Sequence, residues 1–76
     1  MAREQVTQIV AEMVAGVLEV PVAVGARVEV GDTVVLLESM KMEIPVISEA
    51  AGTVVSVNVV PGDAVQEGDL LLSLTP

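Results

Sequence analysis

The chain has 76 residues, of which 53% are hydrophobic and none aromatic, and its 11 acidic residues against 3 basic ones give a net charge of −8. This length allows one small domain. The absence of cysteine and histidine excludes disulfides, thiol catalysis, Ser-His-Asp chemistry and ordinary zinc sites. An acidic chain without aromatic rings to stack on bases is not expected to bind nucleic acid.

No segment of the sequence predicts a membrane span or a secretion signal. The longest stretch without a charge, Ala50 to Gly62, has 13 residues, which is too short to cross a bilayer. The first five residues lack the apolar stretch of a signal peptide. We therefore expect a cytoplasmic protein without a membrane partner, in which residues 1–8 fray or lengthen the first strand and residues 9–76 form the domain.

Valine-rich segments with a period of two predict β-structure along most of the chain. Leu18, Val20, Val22 and Val24 alternate with smaller or polar residues, and Pro21 within this run predicts an edge or a bulge. Val55, Val57 and Val59 repeat the alternation further along the chain. The segments 33–37 and 70–74 are nearly continuous apolar runs, as expected of core strands.

The sequence repeats itself at a shift of 37 residues, which places Ala15–Leu37 on Gly52–Leu74 without a gap and with 8 of 23 positions identical. The identical pairs are Val17/Val54, Val20/Val57, Val22/Val59, Gly25/Gly62, Val28/Val65, Gly31/Gly68, Asp32/Asp69 and Leu37/Leu74. The repeat predicts an all-β sandwich of two four-stranded halves related by an approximate two-fold axis. Its predicted core consists of Val20, Val22, Val28, Val35, Leu37, Val57, Val59, Val65 and Leu72.

Each repeat carries the skeleton G-x-x-V-x-x-G-D between its two strands. Gly25 and Gly62 begin turns in which a positive φ is needed, and Asp32 and Asp69 close the following turns. These two aspartates are also candidates for paired-carboxylate catalysis. Because both follow a glycine in equivalent turns, we interpret them as turn residues.

The joint between the repeats, Glu38–Val46, does not recur. Its local propensity favours a short helix. However, Leu37 corresponds to the strand residue Leu74, and Pro45 would end a helix early. We predict a tight hairpin at Met40-Lys41 that lacks the Gly, Asn or Asp such turns prefer, a violation more typical of functional sites.

Glu38-Ser39-Met40-Lys41-Met42-Glu43, placed between the two G-D repeats, resembles the attachment motif of the biotinyl domains. The resemblance covers about residues 9–75 and implies a flattened β-barrel or sandwich with biotin on Lys41, the only lysine. The related lipoyl domains usually have Asp before the lysine and a small residue after it, so Met40 and Met42 favour biotin. The thumb insertion of some members is absent, because residues 16–31 match the second repeat without a gap.

The resemblance implies a carrier without catalytic activity that moves carboxyl groups between a biotin carboxylase and a carboxyltransferase, for an acceptor such as an acyl-CoA or a 2-oxo acid. A lysine amine is protonated at neutral pH, so an activating biotin protein ligase is also expected. The alternatives are a lipoyl carrier of a 2-oxo acid dehydrogenase or glycine cleavage system, and an unmodified β-sandwich used for assembly. We expect the isolated domain to be monomeric.

Each residue of the motif also has an ordinary structural interpretation. Lys41 would then be a solvated surface lysine, and Met40 and Met42 would be flexible fillers of the core. Glu38 and Glu43 would be solvated carboxylates rather than contacts to a ligase.

Overall fold

A computed structural model describes residues 5–76 of the chain, and every secondary-structure element in that range is a strand. The strands are β1 (Thr7–Val10), β2 (Ala15–Glu19), β3 (Arg27–Val28), β4 (Thr33–Ser39), β5 (Met42–Ile47), β6 (Gly52–Val57), β7 (Ala64–Val65) and β8 (Leu70–Thr75). Within these residues no helix is long and apolar enough to cross a membrane. Of the predicted N-terminal segment 1–8, residues 1–4 lie outside the described part, and Thr7 and Gln8 belong to β1.

The strands form two antiparallel four-stranded sheets with the orders β1-β8-β6-β3 and β5-β4-β2-β7. Adding 37 to a residue number maps β1 to β4 onto β5 to β8, and it also maps the first sheet onto the second. The predicted two-fold symmetry is therefore confirmed. Each sheet takes strands from both sequence repeats, so neither repeat can form a sheet alone, and the result is a sandwich rather than a closed barrel.

The core lies between the two sheets and consists of aliphatic side chains. Of the predicted core residues, those with less than a tenth of their surface exposed are Val28, Val35, Leu37, Val59, Val65 and Leu72. Val20, Val22 and Val57 are only partly buried and pack against the edge of this core. Val34, Leu71 and Leu74 are fully buried as well, since β4 and β8 lie in the interior of their sheets.

The prediction of a strand over residues 18–24 is wrong, because β2 ends at Glu19 and Pro21 follows it. The register of β2 against β4 shifts between Val17 and Glu19, which is an irregularity of the β-bulge type. Such a bulge moves the in-out alternation by one residue. Val17 is consequently buried, whereas Val24, predicted to share a face with Leu18, is 64% exposed.

The second repeat has the same irregularity at the equivalent place. The register of β6 against β8 shifts between Val54 and Ser56, residues that lie 37 positions after Val17 and Glu19. Val54 is buried and Val55 is 44% exposed, so the predicted alternation of Val55 with Val57 is also displaced. The bulge is thus a feature of the repeat, present in both halves.

The glycine-aspartate turns are confirmed as structural. Gly31 and Gly68 have φ values of 95° and 92°, which an L-residue adopts only with strain. The Asp32 Oδ2 atom accepts a hydrogen bond of 2.9 Å from the Glu29 N–H, and Asp69 accepts one of 2.8 Å from Gln66. Both carboxylates therefore stabilise their own turns. Asp63 accepts the same kind of bond from Val60, at 3.0 Å, which the sequence analysis did not predict.

The two-fold symmetry places the β4–β5 turn at one end of the sandwich, and the start of β1 and the end of β8 at the opposite end. In the hairpin Leu37 is paired with Ile44, and the symmetry-equivalent pair is Leu74 with Thr7. The position of the β4–β5 turn therefore corresponds to the unconnected strand ends at Thr7 of β1 and Thr75 of β8. We call the end with the turn the hairpin end and the other the open end.

Candidate functional site

The predicted hairpin is confirmed, and its turn has a strained backbone. Ser39 of β4 pairs with Met42 of β5, so only Met40 and Lys41 form the loop. Their φ values are 52° and 65°, and two successive positive values are typical of a type I′ turn. That turn matches the twist of the flanking strands, which explains why the hairpin overrides the local helix propensity.

The side chains at the turn point into solvent. Met40 is 90% exposed and Met42 is 61% exposed, and Lys41 is exposed between them. Neither methionine belongs to the core or to the partly buried shell around it, so the interpretation as core fillers is wrong. Two unbranched thioether chains therefore flank the amine on both sides in sequence.

Glu38 and Glu43 lie directly opposite each other on the hairpin, and both are exposed. Like charges in a cross-strand pair destabilise a hairpin. Among residues 5–76 the one side-chain ion pair joins Arg27 to Glu29 at 3.1 Å, and β3, which contains Arg27, pairs with the start of β6 at the open end. Neither glutamate forms a side-chain ion pair within residues 5–76, and the hairpin carries these two carboxylates against the single amine of Lys41.

The lysine lies outside the groove that the structure shows between the edge strands. This open groove of about 430 Å³ runs between β1 and β5, and Ile9, Leu37 and Val46 are among its lining residues. Lys41, Met40 and Met42 do not line it. An exposed lysine outside this groove can present its amine, or a group attached to it, to another protein.

One apolar residue beside the turn was missed by the sequence analysis. In the register of β2 against β4, Gly16 is opposite Glu38, so Val14, which directly precedes β2, lies at the hairpin end. Val14 is 70% exposed. Extending the repeat one position upstream of Ala15 would have drawn attention to it, because its counterpart is the much smaller Ala51.

Comparisons with known proteins agree with this fold and site. A family described as "Biotin-requiring enzyme" matches residues 5–74. The chain is 57% identical over 61 residues to the "Biotinylated protein TB7.3 homolog" of Mycobacterium leprae, covering 80% of this chain and 86% of that protein. It is 44% identical over 64 residues to the "Biotin/lipoyl attachment protein" of Bacillus subtilis, covering 84% and 88%.

Among solved structures, a single-chain, multi-domain long-chain acyl-CoA carboxylase contains a similar domain. It superposes with a TM-score of 0.87 at 36% identity over 92% of this chain, which spans 7% of that much longer chain. The fold and these similarities define a small carrier domain of the biotin/lipoyl type. The chain belongs to the biotin/lipoyl attachment family.

Proposed function

We propose that the chain is a biotin carboxyl carrier, with biotin attached in amide linkage to Nζ of Lys41. The observation that carries the proposal is the position of this lysine, exposed on a two-residue turn and flanked by two exposed methionines. A covalent arm needs an amine that another protein can reach and that its own domain does not cover. The name of the relative from Mycobacterium leprae, a biotinylated protein, supports the same choice.

The residues of the turn fit such a group in two ways. The main chain is fixed by β4 and β5 on either side, so the root of the arm is held rigidly while its end is free. Lys41 lies outside the groove between β1 and β5, so the arm starts in solvent. When bound, biotin would supply a ureido nitrogen that accepts a carboxyl group in a biotin carboxylase and yields it in a carboxyltransferase.

The domain contributes reach and effective concentration to this reaction rather than catalysis. A tether converts each visit to a partner's active site into an intramolecular event. The similar domain within an acyl-CoA carboxylase chain supports a carboxylase as the setting. We accordingly assign the biotin carboxylase and the carboxyltransferase to other proteins or domains.

Met40 and Met42 are assigned as contacts to the biotin protein ligase and, after modification, to the arm. Flexible unbranched side chains adapt to a partner's surface and bury apolar area when they do so. Glu38 and Glu43 are assigned as docking charges for basic groups of the ligase. Opposite charges brought to this like-charged pair would relieve its repulsion and speed the encounter.

A lipoyl carrier is the second candidate, because the relative from Bacillus subtilis is called a biotin/lipoyl attachment protein. The methionines on both sides of Lys41 favour biotin, since lipoyl domains usually have Asp before the lysine and a small residue after it. An unmodified assembly module is the third. It would leave the strained, solvent-exposed turn without a role.

One experiment separates the three candidates. The purified chain is incubated with a biotin protein ligase, ATP and biotin, or with a lipoate ligase, ATP and lipoate, and its intact mass is measured. We expect one biotinoyl group on the wild type and none on Lys41→Arg, which keeps the charge but cannot form the amide. A lipoyl group alone would select the second candidate, and an unchanged mass with both ligases would select the third.

The assignments of the flanking residues need kinetics. Replacing Met40 and Met42 together by Ala should lower kcat/KM for biotinylation while far-UV circular dichroism stays unchanged, because neither side chain supports the core. Equal kinetics for this variant and the wild type would contradict the role of the methionines. Exchanging Glu38 or Glu43 for Lys tests the docking charges in the same assay.

A further inference from the structure

The two ends of the sandwich provide an internal comparison, because the 37-residue symmetry gives each position at the hairpin end a counterpart at the open end. The segment before β2 carries Met13 and Val14 where the segment before β6 carries Ala50 and Ala51. The backbone is equivalent at both ends, so the fold itself does not require the larger side chains. A difference confined to exposed side chains is more typical of a binding surface than of a structural need.

Val14 extends the apolar surface of the hairpin end. It is 70% exposed and directly precedes β2, whose Gly16 is paired with Glu38 of the hairpin, while Met40 on the turn is 90% exposed. Met42, 61% exposed, lies on the other side of the turn. Surface valines that occur singly need no explanation. Here a third large apolar residue, from a different strand connection, lies at the same end of the sandwich as the two methionines.

Acidic residues border this apolar surface. Glu12 precedes Met13, and Glu38 and Glu43 lie opposite each other on the hairpin; all three are exposed. The symmetry counterparts of Glu38 and Glu43 at the open end are the uncharged Thr75 and Val6. An apolar centre with an acidic border is complementary to a protein surface that has an apolar patch surrounded by basic residues.

The chemistry of attachment selects one partner for this surface. A ligase acylates the Lys41 amine itself, so its active site must come within bonding distance of a side chain only four carbons long. The residues around the turn, Val14 included, are then covered by the ligase. A biotin carboxylase and a carboxyltransferase act on the ring of the attached biotin, so they do not need to contact the residues around Lys41.

We propose that Val14, on the β1–β2 segment, is part of the surface that binds the biotin protein ligase and sets its affinity for this chain. The inference rests on the proposed function and adds a residue outside the attachment motif. Because Val14 contributes through binding and has no group that takes part in the acylation, it is expected to change KM rather than kcat. Its two terminal methyl groups are the part that the ligase buries.

Val14→Ala tests the proposal, and alanine is the residue present at the symmetry-equivalent position, Ala51. The matched control is Val30→Ala at the open end, since Val30 is 67% exposed and loses the same two carbons. We expect Val14→Ala to lower kcat/KM for ligase-catalysed biotinylation about fifteenfold, the loss expected for two buried methyl groups, through a higher KM. Val30→Ala and Val14→Ile are expected to react like the wild type.

The outcomes are distinct. Val14→Ala with wild-type kinetics, or an equal loss in Val14→Ala and Val30→Ala, would overturn the role of Val14 and leave the proposed function intact. A wild-type chain that the ligase does not modify at all would overturn both. Circular dichroism melts of the three variants show whether each is folded, and Val14→Ala removes no core packing because Val14 is 70% exposed.

Discussion

Because Lys41 has a positive φ, we predict that glycine at this position gives a more stable protein than alanine, the reverse of the usual order in a strand. An L-residue in the left-handed region costs about 1–2 kcal/mol that glycine avoids. Glycine in turn loses more chain entropy on folding, about 0.4–1 kcal/mol relative to alanine. Since the Lys41 side chain is exposed, neither replacement removes packing. Lys41→Gly should therefore be more stable than Lys41→Ala by about 1 kcal/mol.

The control is the same pair of substitutions at Glu43, which is also exposed and lies two residues further along in β5. Its φ is not among the positive values, so Glu43→Gly should be less stable than Glu43→Ala by about 0.5–1 kcal/mol. The sign of the glycine-alanine difference thus reverses within one hairpin. A double replacement of Met40 by Asn and Lys41 by Gly, the sequence favoured in type I′ turns, should be more stable still.

Urea titration followed by far-UV circular dichroism measures these differences, since the chain has no aromatic residue to report by fluorescence. For a domain of this size a change of 1 kcal/mol moves the Tm by about 4–8 °C. If Lys41→Gly proved less stable than Lys41→Ala, the turn would not have the strained backbone described above. The assignment of strain to the lysine would then be wrong.

Two further predictions concern the sandwich itself. A Cβ at Gly52 would collide with the backbone carbonyl of Thr75, so Gly52→Ala should lower the free energy of unfolding by more than about 2 kcal/mol. A Cβ on Gly16 would have its nearest atoms at 3.9 Å, so Gly16→Ala should change this free energy by about 0.5 kcal/mol or less. Urea titration of both variants measures the difference. Val54→Ala should cost about 2 kcal/mol because Val54 is 1% exposed, and Val55→Ala should cost about 0.5 kcal/mol or less; the opposite order would contradict the bulge in β6.

Much of this fold follows from patterns that are visible in the sequence. The repeat at 37 residues identified the equivalent turns, and the buried Val28, Val65 and Leu37 occupy positions that it aligned. The hairpin could be predicted because Leu37 matched the strand residue Leu74 and because Pro45 restricts a helix. In each case a long-range match outweighed the local propensity.

Pro21 predicted an edge or a bulge in this run, but the position of the bulge, between Val17 and Glu19, could not be predicted from the sequence. One extra residue in a strand moves every following side chain to the other face, yet it needs no glycine or proline to mark it. The interleaving of the repeats was also out of reach, since periodicity shows where strands are and not which strands pair. For the candidate site, the motif around Lys41 was visible, but the contribution of Val14 depends on the pairing of β2 with β4.

The separation of the hairpin end from the open end has a practical consequence. Thr7 and Leu74 are neighbours on paired strands at the open end. A linker or a solid support joined to the chain before Thr7 or after Leu74 therefore leaves the domain on the side away from Lys41. The whole sandwich would then act as a rigid spacer between the point of attachment and the lysine. Immobilisation through either end should leave the amine as accessible as in free solution, which makes the domain suited to oriented display of whatever Lys41 carries.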